Sequence, residues 1–298
     1  MFSRLSLYGQ AVILALTGYF FFSMADVSAK ILSVRYPISF CLFVPALIAS
    51  IGIILRIFIG RGQQGFKTQH LKLHLLRGTV ITVMVVLCVN SLKLIPIADF
   101  YCIVFLSPFM VMALSVFLYK EEIHWPRILV LISSFTGVII TIGPHFNDWN
   151  IGYIFACSAM ILGSTNVFLV RKIGRHEYPP IFGLFPLLGV VIFSMPFAVD
   201  NIVNHISFSK MPPADIAIFL FYGGSLIAAH NFLPIAFART PSVSKLTPLH
   251  YSQMIWGILA GFFVFDSGIE WNTLLGGGLI ISSGLWLFYY ETLRRKTP

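Results

Sequence analysis

The sequence is short of charge. Of its 298 residues only 10% are Asp, Glu, Lys or Arg, against about 25% in a soluble domain. So few charges cannot cover a water-exposed surface, which excludes an ordinary soluble globular protein. Long polar segments are missing too. The longest is RGQQGFKTQHLK, Arg61 to Lys72, so no soluble domain is left over. Cysteine is sparse: Cys41, Cys88, Cys102 and Cys157 stand without CxxC spacing, which argues against a disulfide framework or a metal centre. There is no GxxxxGK[ST], no HExxH, no nucleophile elbow and no glycine-rich phosphate loop. ATP hydrolysis and the common hydrolytic chemistries are thereby excluded, and no cofactor is expected.

What is present is apolar. Hydrophobic residues make up 57% of the chain and Phe alone occurs 29 times. The lipid bilayer is the solvent that suits such a chain. Stretches long enough to cross roughly 30 Å of hydrocarbon fall at about 10–29, 38–59, 73–92, 97–119, 127–144, 151–170, 180–199, 215–238, 243–265 and 271–290. The expected fold class is an all-α polytopic membrane protein with ten transmembrane helices. Arg4 followed by an apolar run and Val27–Ala29 loosely mimics a cleaved signal peptide, but cleavage would leave nine spans and invert the charge pattern.

That pattern orients the chain. With the N-terminus in the cytoplasm, ten spans leave only Lys30, Arg35, Lys93 and Lys210 outside, of 20 Lys and Arg. The rest gather at cytoplasmic segments and span ends, as the positive-inside rule requires. The net charge of +9 is thus a topology signal, not a nucleic-acid surface. Both termini are expected in the cytoplasm.

The chain also repeats. Offset by 145 residues, Gly18 falls on Gly163, Gly78 on Gly223, Pro96 on Pro241, Ser107 on Ser252 and Glu121 on Asp266. This divides the chain into two five-span halves, 1–147 and 148–298. Five is odd, so the second half enters from the opposite side. Inverted repeats suit alternating access, with the solute site near the midplane between the halves.

Polar residues inside spans mark candidate sites, because lipid leaves them unsatisfied. His230 and Asn231 lie in SLIAAHNFLPIAF, where Pro234 removes one backbone hydrogen bond; they are expected near the midplane, within reach of His250 and Gln253. The alternative is that they tie their span to its neighbours. In span four, Tyr101, Phe105, Pro108 and Met112 form a stripe at helical spacing. Its counterpart in span nine holds Leu246, His250, Gln253 and Gly257. An aromatic face opposite a polar one suits a planar organic solute, while ordinary packing is the simpler reading. Asn166 is a further cavity candidate. Asp26, with Lys30 four residues on, is either a gating or coupling carboxylate or half of a structural clasp. Asp99 is a third gating candidate. Glu121 and Glu122 fit a solvated helix end.

LIPIADFYCIVFLSPFMVMALSVFLYKEEIHW, Leu94 to Trp125, then Gly137, resembles the EamA family of the drug/metabolite transporter superfamily. The second half repeats it more loosely in SVSKLTPLHYSQMIWGILAGFFVFD, and departs from it where Asp266 replaces the tandem Glu121–Glu122. The first span, FFFSMADVSAKIL, is most similar to the subset of riboflavin and S-adenosylmethionine carriers. The resemblance implies a ten-helix carrier of the bacterial inner membrane with a central cavity. The expected function is secondary transport of a small vitamin-, nucleoside- or amino-acid-derived metabolite, not an enzyme reaction. Amino-acid or drug export is the alternative; an integral-membrane enzyme would need a catalytic cluster that is not visible. The expected partners are the solute and the bilayer, with no nucleic acid. Monomer and homodimer stay open.

Overall fold

The computed structural model describes residues 7–107, 109–111, 114, 125–142, 150–173, 177–204, 206, 211–239, 247–266 and 271–294. Among these there is no strand. The described residues form ten α-helices: α1 Leu7–Arg35, α2 Ile38–Arg61, α3 Leu71–Leu94, α4 Ile97–Val104, α5 Trp125–Ile142, α6 Ile151–Ile173, α7 Pro179–Asn204, α8 Pro213–Arg239, α9 Ser252–Phe265 and α10 Trp271–Arg294. Two 3-10 turns, Gly62–Phe66 and Thr247–Tyr251, follow α2 and precede α9. Pro108, Met112, Glu121, Glu122 and Leu246 lie outside the described residues.

Six helices are long and apolar enough to cross a membrane: those spanning Gly9–Arg35, Ile38–Phe66, Leu71–Leu94, Ile151–Val170, Pro179–Asn204 and Pro213–Ala236. Shorter apolar helices cover Ile97–Val111, Ile128–Thr141 and Leu249–Phe265. Proline accounts for part of the shortness. Pro248 sits in the 3-10 turn that delays the start of α9. Large apolar side chains such as Ile59, Ile192 and Phe263 are exposed on the outside of the bundle, as a lipid-facing surface requires. The protein is a multi-pass membrane protein.

The packing follows the 145-residue offset. Long contacts join α1 to α8 and α3 to α6; α2 to α8 and α3 to α7; α1 to α9 and α4 to α6. Each pair becomes the other when every helix is exchanged for the one five places along. The α2–α7, α4–α9 and α5–α10 contacts map onto themselves. Matched glycines occupy matched seams. A Cβ on Gly18 would lie 2.7 Å from Leu233 of α8, and one on Gly163 would lie 3.3 Å from Met84 of α3. One on Gly78 would lie 3.1 Å from the Phe185 carbonyl of α7, and one on Gly223 2.6 Å from Ile48 of α2. Small residues at these four places let the backbones approach. The buried core runs between the helices through Phe40, Ile53, Leu92, Tyr101, Phe105 and Tyr153.

Candidate functional site

The helix that assembles the site is α1. Tyr19, Ser23, Asp26 and Lys30 lie at spacings of four, three and four residues, so they share one stripe of α1. Asp26 stands half-buried at its centre. Its carboxylate Oδ2 accepts a hydrogen bond from the Tyr101 hydroxyl of α4 at 2.7 Å. Cys88 of α3 and Tyr222 of α8 also face it. Among the described residues no Lys or Arg lies within 4.0 Å of the Asp26 carboxylate. The Asp26–Lys30 clasp, one of the two readings of this pair, is therefore not formed. Lys30 turns instead to the end of α3, donating to the carbonyls of Leu92 at 2.7 Å and Ile95 at 2.6 Å. The carboxylate that acts on Lys30 is that of Asp99, and Asp99 in turn accepts from the Tyr153 hydroxyl at 2.8 Å.

From Asp26 an aromatic column runs through the bundle. The Tyr101 ring stacks on Phe105 with centroids 5.7 Å apart. Phe105 meets His250 edge-on at 5.0 Å, and His250 meets Tyr19 at 5.0 Å. Gly257 lies against the Tyr101 ring, where any Cβ would collide with it. His250 hydrogen-bonds the Gln253 side chain, while the Gln253 backbone carbonyl accepts from Ser23 at 3.2 Å. Five of the sequence candidates, Asp26, Tyr101, Phe105, His250 and Gln253, thus share one connected group. One turn apart on α9, Ser252 Oγ and Trp256 Nε1 are buried donors that have no partner among the described residues.

The remaining candidates lie elsewhere. His230 Nδ1 donates to its own helix at the Leu226 carbonyl, 2.9 Å away. Its ring packs edge-on to Phe22 at 5.2 Å and against Gly183 of α7. The Asn231 side-chain oxygen accepts from Arg56 of α2. Among the described contacts His230 and Asn231 make no hydrogen bond or ring contact with His250 or Gln253, because α8 packs along α1 and α2 while α9 meets α1. Asn166 is likewise engaged: its oxygen accepts from Arg77 Nε at 2.8 Å, and Arg77 also donates to the Phe182 carbonyl at 2.6 Å.

Sequence reading missed Tyr19 and Ser23, although their spacing from Asp26 was visible. It also took Arg56 and Arg77 for topology charges. Arg77 stands almost two turns inside α3 and is only 8% exposed; that depth was the signal that it has a buried partner. Among the described residues no group of three His, Cys, Asp or Glu could hold a metal ion.

Comparison with known proteins gives the class. The sequence model of the EamA-like transporter family matches residues 9–143. The S-adenosylmethionine uptake transporter of Rickettsia conorii is 25% identical over 279 residues, covering 92% of each chain. The riboflavin transporter of Vibrio cholerae is 22% identical over 271 residues, covering 90% of this chain and 85% of that one. A solved crystal structure, 15% identical, superposes with a TM-score of 0.66 over 97% of this chain and 99% of its own, a likeness of fold alone. Both the family and these named relatives are transporters, not enzymes.

Proposed function

We propose, from the premise that the chain belongs through residues 9–143 to the EamA-like transporter family, that this metabolite transporter carries a planar heteroaromatic solute bearing a positive charge, of the S-adenosylmethionine type. The observation that carries this reading is Asp26. A carboxylate inside a bundle is costly unless it is compensated, and here the compensation is one phenol hydroxyl. An onium centre beside the carboxylate completes it. The faces of Tyr101, Phe105 and Tyr19 add cation–π attraction and a stacking surface for a fused ring. Gln253, joined to His250, offers a polar group to its edge. The aromatic column alone suits a flavin equally well. The unneutralised carboxylate favours the cation.

The same group serves coupling. A proton and an onium cation compete for one carboxylate, so loading one releases the other. Asp26 is in this reading both binding and coupling residue, and Lys30 with Asp99 belongs to the closure at the Arg35 end of the bundle.

The reading includes ten spans in two inverted repeats, 1–147 and 148–298, in the bacterial inner membrane with both termini cytoplasmic. It is supported by the exchange of helix partners and the matched glycines at offset 145, and by the placement of Lys and Arg. The test is counterflow. Proteoliposomes loaded with unlabelled S-adenosylmethionine are expected to accumulate the labelled compound transiently and saturably. Counterflow of riboflavin with none of S-adenosylmethionine would overturn the cation assignment.

A further inference from the structure

The ends of α2 carry two clasps built from equivalent elements. α2 has 24 residues, so its ends are about 36 Å apart. At the first end, the α1–α2 corner grips the start of α8. Arg35 donates to Asp215 at 2.6 Å and the Tyr36 hydroxyl donates to it at 2.7 Å. At the other end, the α6–α7 corner grips the start of α3. Glu177 accepts from Thr68 at 2.6 Å, Tyr178 lies under the Arg61 guanidinium at 4.3 Å, and His74 approaches Glu177 at 3.9 Å. Exchanging each helix for the one five places along turns one clasp into the other.

Their chemistry differs. The Arg35 clasp contains no imidazole. Arginine stays charged, and burial together with the Asp215 carboxylate holds the Tyr36 hydroxyl up at about 12. The other clasp contains an imidazole. His74 is 0% exposed, and among the described residues neither ring nitrogen has a hydrogen-bond partner. Its ring stacks on Phe185 at 4.8 Å and stands edge-on to Phe182 at 5.5 Å, both on α7. The charged and titratable groups that act on it are Glu177 from the α6–α7 corner and Arg77 and His70 from its own side. Glu177 stands beyond hydrogen-bond distance from it and is engaged by Thr68.

We propose that His74 is a proton-binding site that unlatches this end of the bundle. The closed clasp fits a neutral ring: it offers two apolar rings, a nearby guanidinium and no acceptor within bonding distance. A proton on His74 places a desolvated cation there. Opening the α6–α7 corner from α3 gives that cation water. The closed state is therefore fully favoured above the ordinary imidazole range, and it loses ground as the pH falls through it. The Arg35 clasp has no such response. An end that opens on proton uptake, opposite one that does not, gives alternating access a direction set by pH. This rests on the alternating-access reading above.

The experiment needs no substrate. Spin labels on Gln64→Cys and Lys172→Cys, both exposed positions flanking the clasp, with Cys88→Ala and Cys157→Ser, report its opening by pulsed electron resonance. Between pH 8 and 5.5 the ratio of long to short distances is expected to rise by up to about tenfold, the limit set by an open-state imidazole that titrates about one unit above the lower pH. His74→Gln and His74→Phe, the latter joining the Phe182–Phe185 stack, are expected to abolish the response. A distance distribution that does not move with pH in the wild-type residue set overturns the proposal, as does an unchanged response in a folded His74 variant. If the labels respond but no solute exchanges, the proton site stands and the carrier reading fails. If S-adenosylmethionine exchanges but the labels do not respond, the carrier reading stands and the proton site fails.

Discussion

The Asp26 group and the Arg56–Arg77 group are both polar clusters inside an apolar bundle, and they use opposite solutions. Around Arg77 each side chain is matched: a guanidinium meets the Asn166 oxygen and the Phe182 carbonyl. Arg56 meets Asn231 in the same way. The partners are protein groups on different helices, so the bonds tie α2 to α8 and α3 to α6 and α7. Around Asp26, among the described residues, the carboxyl group has a single hydroxyl partner, beside stacked aromatic rings. A cluster that satisfies itself holds helices together. A cluster that leaves a charge unneutralised is available to a ligand.

Four substitutions sharpen or break that contrast. The largest effect is expected from Asp26→Asn, which keeps shape and removes charge. S-adenosylmethionine affinity should fall about 100-fold, or about 2.7 kcal/mol, with folded yield unchanged, as read by calorimetry and by size exclusion. Arg77→Met should behave in reverse. It leaves the Asn166 side chain and the Phe182 carbonyl unpaired, at about 1–3 kcal/mol each, and so lowers the thermal midpoint in detergent while surviving protein binds normally.

Tyr101→Phe removes the donor to Asp26 but keeps the stack on Phe105. Losing a hydrogen bond to a charged group costs about 1.5–3 kcal/mol, part of which the solute's cation recovers, so an affinity loss of about tenfold is expected. The smallest effect belongs to Asn231→Leu. It should reduce folded yield through loss of the Arg56 contact, by about 1 kcal/mol, with affinity changed less than about twofold. An affinity loss that exceeds the loss of yield would return Asn231 to the solute site.

Much of the fold was legible because lipid imposes a simple rule: apolar runs of sufficient length become helices. The glycines paired at the 145-residue offset stood out for a related reason. Gly18, Gly78, Gly163 and Gly223 each stand at a close helix seam, and a seam tolerates little else. Span length was less legible at α9, where Pro248 sits in the 3-10 turn before the helix and acts locally on hydrogen bonding that composition averages away. Within the site, the stripe of Tyr101 and Phe105 and its opposite His250 and Gln253 could be read from spacing. Partner choice could not. Lys30 at i+4 from Asp26 satisfies the helical spacing, yet two carbonyls at the end of α3 hold it, and only the three-dimensional approach of α1 to α3 reveals them. Similarly, His230 looks like a cavity residue in one dimension, but its hydrogen bond closes on Leu226 one turn back.

The central claim is that Asp26 reads positive charge on a planar solute. The direct measurement is the binding of S-adenosylmethionine against its neutral thioether analogue, which lacks the S-methyl group and hence the sulfonium charge. With Asp26 in place, the charged compound should bind about 30-fold or more tightly than the neutral one, a difference of about 2 kcal/mol, and with Asp26→Asn the two should bind alike. Equal binding of the two compounds to the protein with Asp26 intact would contradict the account.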